Sequence, residues 1–428
     1  MTPTKSNQIR FLLRPLWCAV VLFFGSALVG CAGPPNRTAP PPSLEDVPSQ
    51  TVDSTGPTVD ASVLVFDAKG TSEDVRIATR DVAVDTGAFQ PGDVRSTVAP
   101  SLVFRGGHVV GHGPADVHVK EGHIVGVVAT HTPVPASTSI VDVTGKVLAP
   151  AFIDSHVHLS YLPKAAALAD GGIAGVVDHA APLSFFETSF APLRVLGSGP
   201  MVTALSGYPT QGWGANGYGI ECKDSAAAEQ AVTLLAQTGA RLIKLPITGT
   251  SQLTQDALEA AVQKAHELNL PVSSHALSDV DAAMAATVNA DVLAHTPVHP
   301  LSPATIEAWK TRAVISSLRA FGGSANAVAN LKALRMAGAT VLYGTDFGNS
   351  SYAGIDPAEL KLMQEAGMDG QAILDSGTSV PATFWGLDEL GAIAPGKAAS
   401  ILVLNADPRT FPLTLAAPAA VYIDGVLR

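Results

Sequence analysis

Eight strand-length segments alternate with helix-length ones between residues 151 and 346: AFIDSHVH, GVVDHA, MVTALSG, RLIKLP, VSSHA, VLAHT, AVISSL and TVLYGTD. Such alternation implies a parallel sheet with crossover helices, because parallel neighbours cannot be joined by a tight turn. Eight units of this kind close a barrel, so the expected fold class is α/β, a (β/α)8 TIM-like barrel. The segment TQDALEAAVQKAHELN illustrates the helical units. Its Leu258, Ala261, Val262, Ala265 and Leu268 recur at helical spacing on one face, and Pro271 stops the chain before VSSH.

The flanks have a different texture. From residue 62 to about residue 148 the chain reads as short β segments punctuated by glycine: SVLVFDA, VRIAT, LVFRGGHVV, ADVHVKEGHIVGVV, SIVDV and KVLAP. SILVLNA and AAVYIDGVL near the end share that texture, so both chain ends are expected to build one small β-sandwich with the barrel inserted between them. The expected limits are residues 61–149 and 391–428 for the β domain and 150–390 for the barrel.

Ahead of these, Lys5, Arg10 and Arg14 precede an uncharged apolar run over residues 16–28, which is too short for a comfortable membrane span. The run ends in Leu28-Val29-Gly30-Cys31, which resembles the bacterial lipoprotein signal. A mature chain starting at a lipidated Cys31 is expected, held to the cell envelope by that anchor, with the outer membrane favoured because Ala32 follows the cysteine. Residues 32–58, rich in Pro, Ser and Thr, read as a tether. Loss of residues 1–30 removes three cations and no acid, taking the formal charge from −11 to −14. An acidic body argues against nucleic-acid partners, since phosphate binding needs a basic surface. Cys222 would then be the one thiol left besides Cys31, ruling out an intrachain disulfide; it reads as a small apolar filler.

The chemistry lies at the ends of the eight segments, where barrels carry their active sites. His156 and His158 flank Val157, so on a strand both imidazoles point to the same side and can share one metal. His-x-His alone is equally a pair of ordinary histidines. Lys244 ends RLIKL, either as an interior lysine paired with an acid or as an amine converted by carbon dioxide to a bridging carbamate. His275 and His295 end successive segments; singly each reads equally as a satisfied buried histidine, and as a pair they are expected to complete the sphere of a second metal. Asp346 ends TVLYGTD, where a carboxylate can bind metal and accept a water proton. His179 reads either as a partner of the ligands or as a packed histidine. Tyr208 sits in the glycine-rich loop SGYPTQGWGANGYG, either a cover for the site or an ordinary surface loop. Arg319 could meet a substrate carboxylate or form a surface ion pair.

VLAPAFIDSHVHL, LIKLP, SSHA, AHT, YGTD and GAIAPGKAASILVLNADP together resemble the amidohydrolase superfamily, in particular its binuclear, prolidase-like branch and the neighbours of imidazolonepropionase. The resemblance covers roughly residues 102–428. It implies the split β domain, two divalent ions, expected to be Zn2+, on His156, His158, Lys244, His275, His295 and Asp346, and carbamylation of Lys244. It departs at Ala151, at Asp178-His179 in place of Arg-Asp, at Ala294 in place of Glu, and at Ser400 in place of Asp. The expected reaction is attack of a metal-bridging hydroxide on the amide of a dipeptide or N-acyl amino acid, with Asp346 as general base and then acid. Hydrolysis of a cyclic amide or lactone, and a lipid-anchored binding protein without turnover, are the alternatives. The oligomeric state stays open, a homo-oligomer included.

Overall fold

The computed structural model describes residues 98–428. The export signal, Cys31, the Pro-rich tether and the strands expected at residues 62–68 and 75–79 lie outside the described residues. Among the described residues no helix is long and apolar enough to cross a membrane.

The first strands are β1 (Leu102–Val109), β2 (Gly113–Lys120), β3 (His123–Val128), β4 (Ser139–Asp142) and β5 (Val147–Pro150). Then comes the α/β region: β6 (Phe152–Val157), β7 (Ile173–Asp178), β8 (Arg194–Gly197), β9 (Met201–Ala204), β10 (Gly219–Cys222), β11 (Ile243–Pro246), β12 (Val272–His275), β13 (Val292–Leu293), β14 (Ala313–Ile315) and β15 (Thr340–Leu342). The chain closes with β16 (Ile401–Leu404), β17 (Ala420–Ile423) and β18 (Val426–Leu427).

Strands from residues 102–150 and 401–427 share one sheet. Its order is β18-β17-β16-β5-β1-β2-β3, with β4 also paired to β1. A bulge between Phe104 and Gly107 lets β1 pair first with β4 and then with β5. Phe104 on β1 and Tyr422 on β17 are three strand spacings apart, roughly 14 Å in a flat sheet. Their rings meet edge to face at 4.7 Å. The sheet therefore curls over its own apolar face, where Val117, Leu148, Ile401 and Val403 are buried.

In the α/β region every ladder is parallel: β6-β7-β8, β9-β10 and β11-β12-β13-β14-β15. Backbone hydrogen bonds link the arcs. Ser155 N donates to Tyr343 O (2.9 Å) and His158 N to Phe347 O (2.6 Å), joining β6 to the chain after β15, and Arg241 N donates to Gly197 O (3.0 Å). The strand expected at Met201 is present as β9, and a further strand, β8, precedes it. The two are separated at Ser198-Gly199-Pro200, where Gly199 takes a left-handed φ of 67°. Proline has no N–H to give a ladder, so the break separates the β7 partner from the segment beside β11.

Helices pack on these arcs through the faces their sequences mark. In Gln255–Glu267, Thr254 caps the N-terminus and Ala257, Leu258, Ala261, Val262 and Ala265 are buried. Leu268 departs from the expected face: it is the C-cap residue, 40% exposed. Asp224, Ser278, Ser302, Ser324, Asp356 and Asp369 cap further helices with side-chain oxygens, so their starts are set by local chemistry. Beneath the site, Phe152 meets Tyr343 edge to face at 5.2 Å.

Candidate active site

Six side chains expected to ligate metal come together in one buried cluster. His156 lies in β6 and His158 just past it, Lys244 lies in β11, His275 ends β12, and His295 follows β13 by two residues. Asp346 departs from the sequence reading: β15 ends at Leu342, and Asp346 sits in the loop beyond it with a left-handed φ of 51°. A non-glycine residue in that region carries strain that surrounding contacts must hold.

Asp154 supplies such contacts. Its carboxylate accepts from His156 N (3.0 Å), Thr345 N (3.0 Å) and Thr345 Oγ1 (2.5 Å), which ties β6 to the loop carrying Asp346. Burial pushes this carboxyl up to about 7, against the lowering effect of its Thr345 and His156 bonds. Asp178 does similar work past His158, accepting from Leu159 N (2.6 Å) and Ala180 N (3.1 Å). Two glycines allow the close approach. A Cβ on Gly344 would meet Ile315 at 2.3 Å and His156 at 3.3 Å, and one on Gly348 would meet His158 at 2.7 Å.

The nitrogen positions define the chemistry. His156 Nδ1 faces Ala294 O at 2.7 Å, so that nitrogen carries the proton and Nε2 presents a lone pair. This Nε2 lies 3.3 Å from His158 Nε2, and Asp346 Oδ1 lies 3.6 and 3.1 Å from the two. Burial first, and then the neighbouring His179, hold His156 well below its ordinary value. On the other side His275 Nδ1 and His295 Nε2 approach to 3.2 Å. Burial and Lys244 push His275 down to about 3, and burial and His275 lower His295 strongly.

Two neutral imidazole nitrogens at such a distance can share one ring proton or flank a cation. Two nitrogens each about 2.05 Å from a tetrahedrally coordinated ion are separated by about 3.3 Å, which both pairs match. His156, His158 and Asp346 offer ligand atoms all within 4.8 Å of one another. Asp346 Oδ2 and His295 Nδ1 are buried without a hydrogen-bond partner among the described residues. The donor set fits divalent metal.

Lys244 stands among these histidines, 1% exposed, with no carboxylate in ion-pair contact among the described residues. Burial pushes the amine down to about 7, although Asp346 and Asp178 raise it. Its contact is His179 Nδ1 at 3.4 Å. His179 donates through Nε2 to Ser155 O (2.8 Å), so its Nδ1 is an acceptor, also reached by Ser273 Oγ at 3.1 Å. Its ring stacks on His156 at 4.2 Å. His179 is thus fully buried beneath the site, against Lys244.

The cavity above the cluster has a volume of about 270 Å³. Tyr208 lines it, stacking on His275 at 5.0 Å and accepting from Trp213 Nε1 at 3.0 Å, so the loop after β9 covers the site. Met201, Trp213 and Phe321 supply the rest of an apolar wall. Arg319 does not reach this cavity; its Nη1 pairs with Asp356 Oδ2 at 3.0 Å. Cys222 is buried, and its thiol is pushed up to about 11, first by burial. Sequence reasoning missed Asn349, which donates from Nδ2 to Asp346 Oδ1 at 3.0 Å; its place three residues after Asp346 was the available signal.

A family model described as the amidohydrolase family matches residues 147–427. Among proteins of curated function none matches the chain. Among solved structures, a Xaa-Pro dipeptidase with bound methionine in its active site is 17% identical, with TM-score 0.66, over 76% of this chain and 99% of that one. A putative prolidase from Bifidobacterium longum is 22% identical, with TM-score 0.65, over 77% and 95%. A molinate hydrolase is 17% identical, with TM-score 0.62, over 77% and 95%. At such identities the likeness is one of fold.

Proposed function

The chain belongs to the amidohydrolase family, hydrolases of carbon–nitrogen bonds, and from that premise we propose that it cleaves the amide bond of a dipeptide or N-acyl amino acid. The observation that carries the reading is the two imidazole pairs, 3.3 and 3.2 Å across, flanking a buried Lys244 and Asp346. The parallel arcs are read as one (β/α)8 barrel over residues 150–390, and the curled sheet as part of a sandwich built from residues 61–149 and 391–428.

His156, His158 and Asp346 would hold one divalent ion and His275 and His295 another, zinc by their nitrogen-rich donor set. Bound there, the ions would supply a water acidic enough to ionise near neutral pH and a Lewis acid for the amide carbonyl. Lys244 would attack carbon dioxide as the free amine, forming an N–C bond and releasing one proton to solvent, so that the site gains an anion where it now holds a bare amine. His179 Nδ1 would accept the N–H that remains on Nζ. Asp346 has Oδ2 free to take the proton of the attacking water and return it to the leaving nitrogen, while Asn349 fixes Oδ1. Burial pushes the Asp346 carboxyl up, but His156, His158 and Lys244 more than offset it and keep it ionised. Tyr208, Trp213 and Phe321 keep water away from an apolar part of the substrate.

The test is a screen of dipeptides and N-acyl amino acids on zinc-loaded protein beside Asp346→Asn. Hydrolysis by the first alone supports the reading, and hydrolysis by both or neither refutes it. Export as a lipoprotein anchored through Cys31 belongs to the same proposal. Cys31→Ser should abolish incorporation of labelled fatty acid and release the protein from the membrane fraction.

A further inference from the structure

Glu359, in the helix Pro357–Glu365, is an acid with no exposed surface. An apolar side chain would fill that position at less cost, so the acid is explained by what its oxygens hold. Both accept from backbone: Oε1 from Leu318 N at 2.9 Å and Oε2 from Arg319 N at 2.7 Å. These N–H groups belong to the loop after β14, whose backbone is strained. Ser317, itself buried, takes a left-handed φ of 37°, a region that only glycine enters freely. Beyond it Gly322 N donates to Arg319 O at 2.9 Å and Gly323 N to Leu318 O at 3.0 Å, so Leu318 to Gly323 form one hydrogen-bonded turn that moves as a unit. The same helix holds this turn at two further points. Asp356 Oδ2 pairs with Arg319 Nη1 at 3.0 Å, and a Cβ on Gly323 would meet Leu362 at 3.0 Å.

The side chain that this turn presents to the metal site is Phe321. Its ring meets His295 edge to face at 4.8 Å and lines the cavity above the cluster. Glu359 is not among the residues that line that cavity. Its two bonds lie two and three residues before the ring, inside the same rigid turn, so releasing them lets Ser317 relax and carries the ring off its place. We infer that Glu359 is a positioning residue: through the Leu318–Gly323 turn it holds Phe321 over the cavity, and thereby sets the preference of the metal site for ligands with an aromatic group beside the metal-binding atoms. The inference rests on the reading of this cavity as the substrate site.

Benzohydroxamate and acetohydroxamate test it, because both grip zinc through the same oxygens and differ by phenyl for methyl. Calorimetric titration of zinc-loaded protein should show at least about tenfold tighter binding of the aromatic probe, from the extra apolar area buried. Glu359→Gln leaves one acceptor oxygen for two N–H groups. It should cut the preference below about threefold while acetohydroxamate affinity stays within about twofold of the parent, whereas a general structural fault would weaken both probes. Phe321→Ala should cut the preference likewise, and the double variant should fall no further, since both changes act on one contact. Glu359→Asp, which withdraws the carboxylate by one methylene, reads the same ratio should the Gln variant not fold. No preference in the parent, a preference unchanged in the Glu359 variants, equal weakening of both probes, or losses that add in the double variant overturns the role. If the preference depends on Glu359 while no amide is hydrolysed, the positioning role stands and the proposed reaction fails; hydrolysis with a preference indifferent to Glu359 gives the converse.

Discussion

Lys244 offers a test of stability rather than turnover. Its amine is pushed from 10.5 down to about 7 in the metal-free protein, first by burial. An unfolded lysine binds a proton up to about pH 10.4, whereas the folded one has half lost it at pH 7, so the unfolded state binds more protons between those values. Stability therefore rises with pH across that window. Each tenfold loss of proton affinity is worth about 1.36 kcal/mol, so at pH 7 the buried amine costs the fold on the order of 4 kcal/mol. Lys244→Met has similar volume and no charge to bury. Dialysed free of metal, it should unfold at higher denaturant than the parent at pH 7, with the gap closing to within about 1 kcal/mol by pH 10. The same variant should lose metal content. A metal-free Lys244→Met less stable than the parent at pH 7, or a gap that persists unchanged at pH 10, would refute the reasoning.

Other perturbations address single parts of the account. Asp346→Asn should keep metal while turnover falls roughly 100- to 10,000-fold, as expected for loss of a general base, checked by elemental analysis beside initial rates. His179→Leu removes the acceptor 3.4 Å from Lys244 and should lower metal content and the ¹³C signal of a lysine carbamate under labelled bicarbonate. His179→Asn, whose side-chain oxygen can stand near Nδ1, should restore part of both, and equal signals in the two variants would remove His179 from this role. Glu359 is fully buried, accepts from Leu318 N and Arg319 N, and is pushed up to about 7 by burial against those bonds. Its folded form keeps a proton that the unfolded form has released, so stability should fall by up to about 3 kcal/mol as pH rises from about 4.5 to 7. Glu359→Gln should lack that component in denaturation curves of metal-free protein.

The six candidate ligands were legible because each follows an apolar strand segment, and strand ends are where this architecture gathers polar side chains. That strands flanking the α/β region on both sides pair in one sheet was legible from their alternating texture. The rest depended on contacts between distant parts of the chain. Arg319 could not be read as the partner of Asp356, 37 positions later. Nothing local to His179 revealed that one nitrogen would face Ser155 O and the other Lys244. The strand read at Met201 is present, whereas Arg194–Gly197 before it was missed, because Gly199-Pro200 separates the two. Asp154 and Glu359 were overlooked because a buried acid is recognised only when its backbone N–H donors are known.

The central claim is that two divalent ions sit between the imidazole pairs and enable amide hydrolysis. Elemental analysis of the protein, paired with hydrolysis assays before chelation, after chelation and after zinc is returned, tests it most directly. The account predicts close to two ions per chain, activity lost with the metal and recovered with zinc. Amide hydrolysis that survives with less than a tenth of an ion per chain would contradict it.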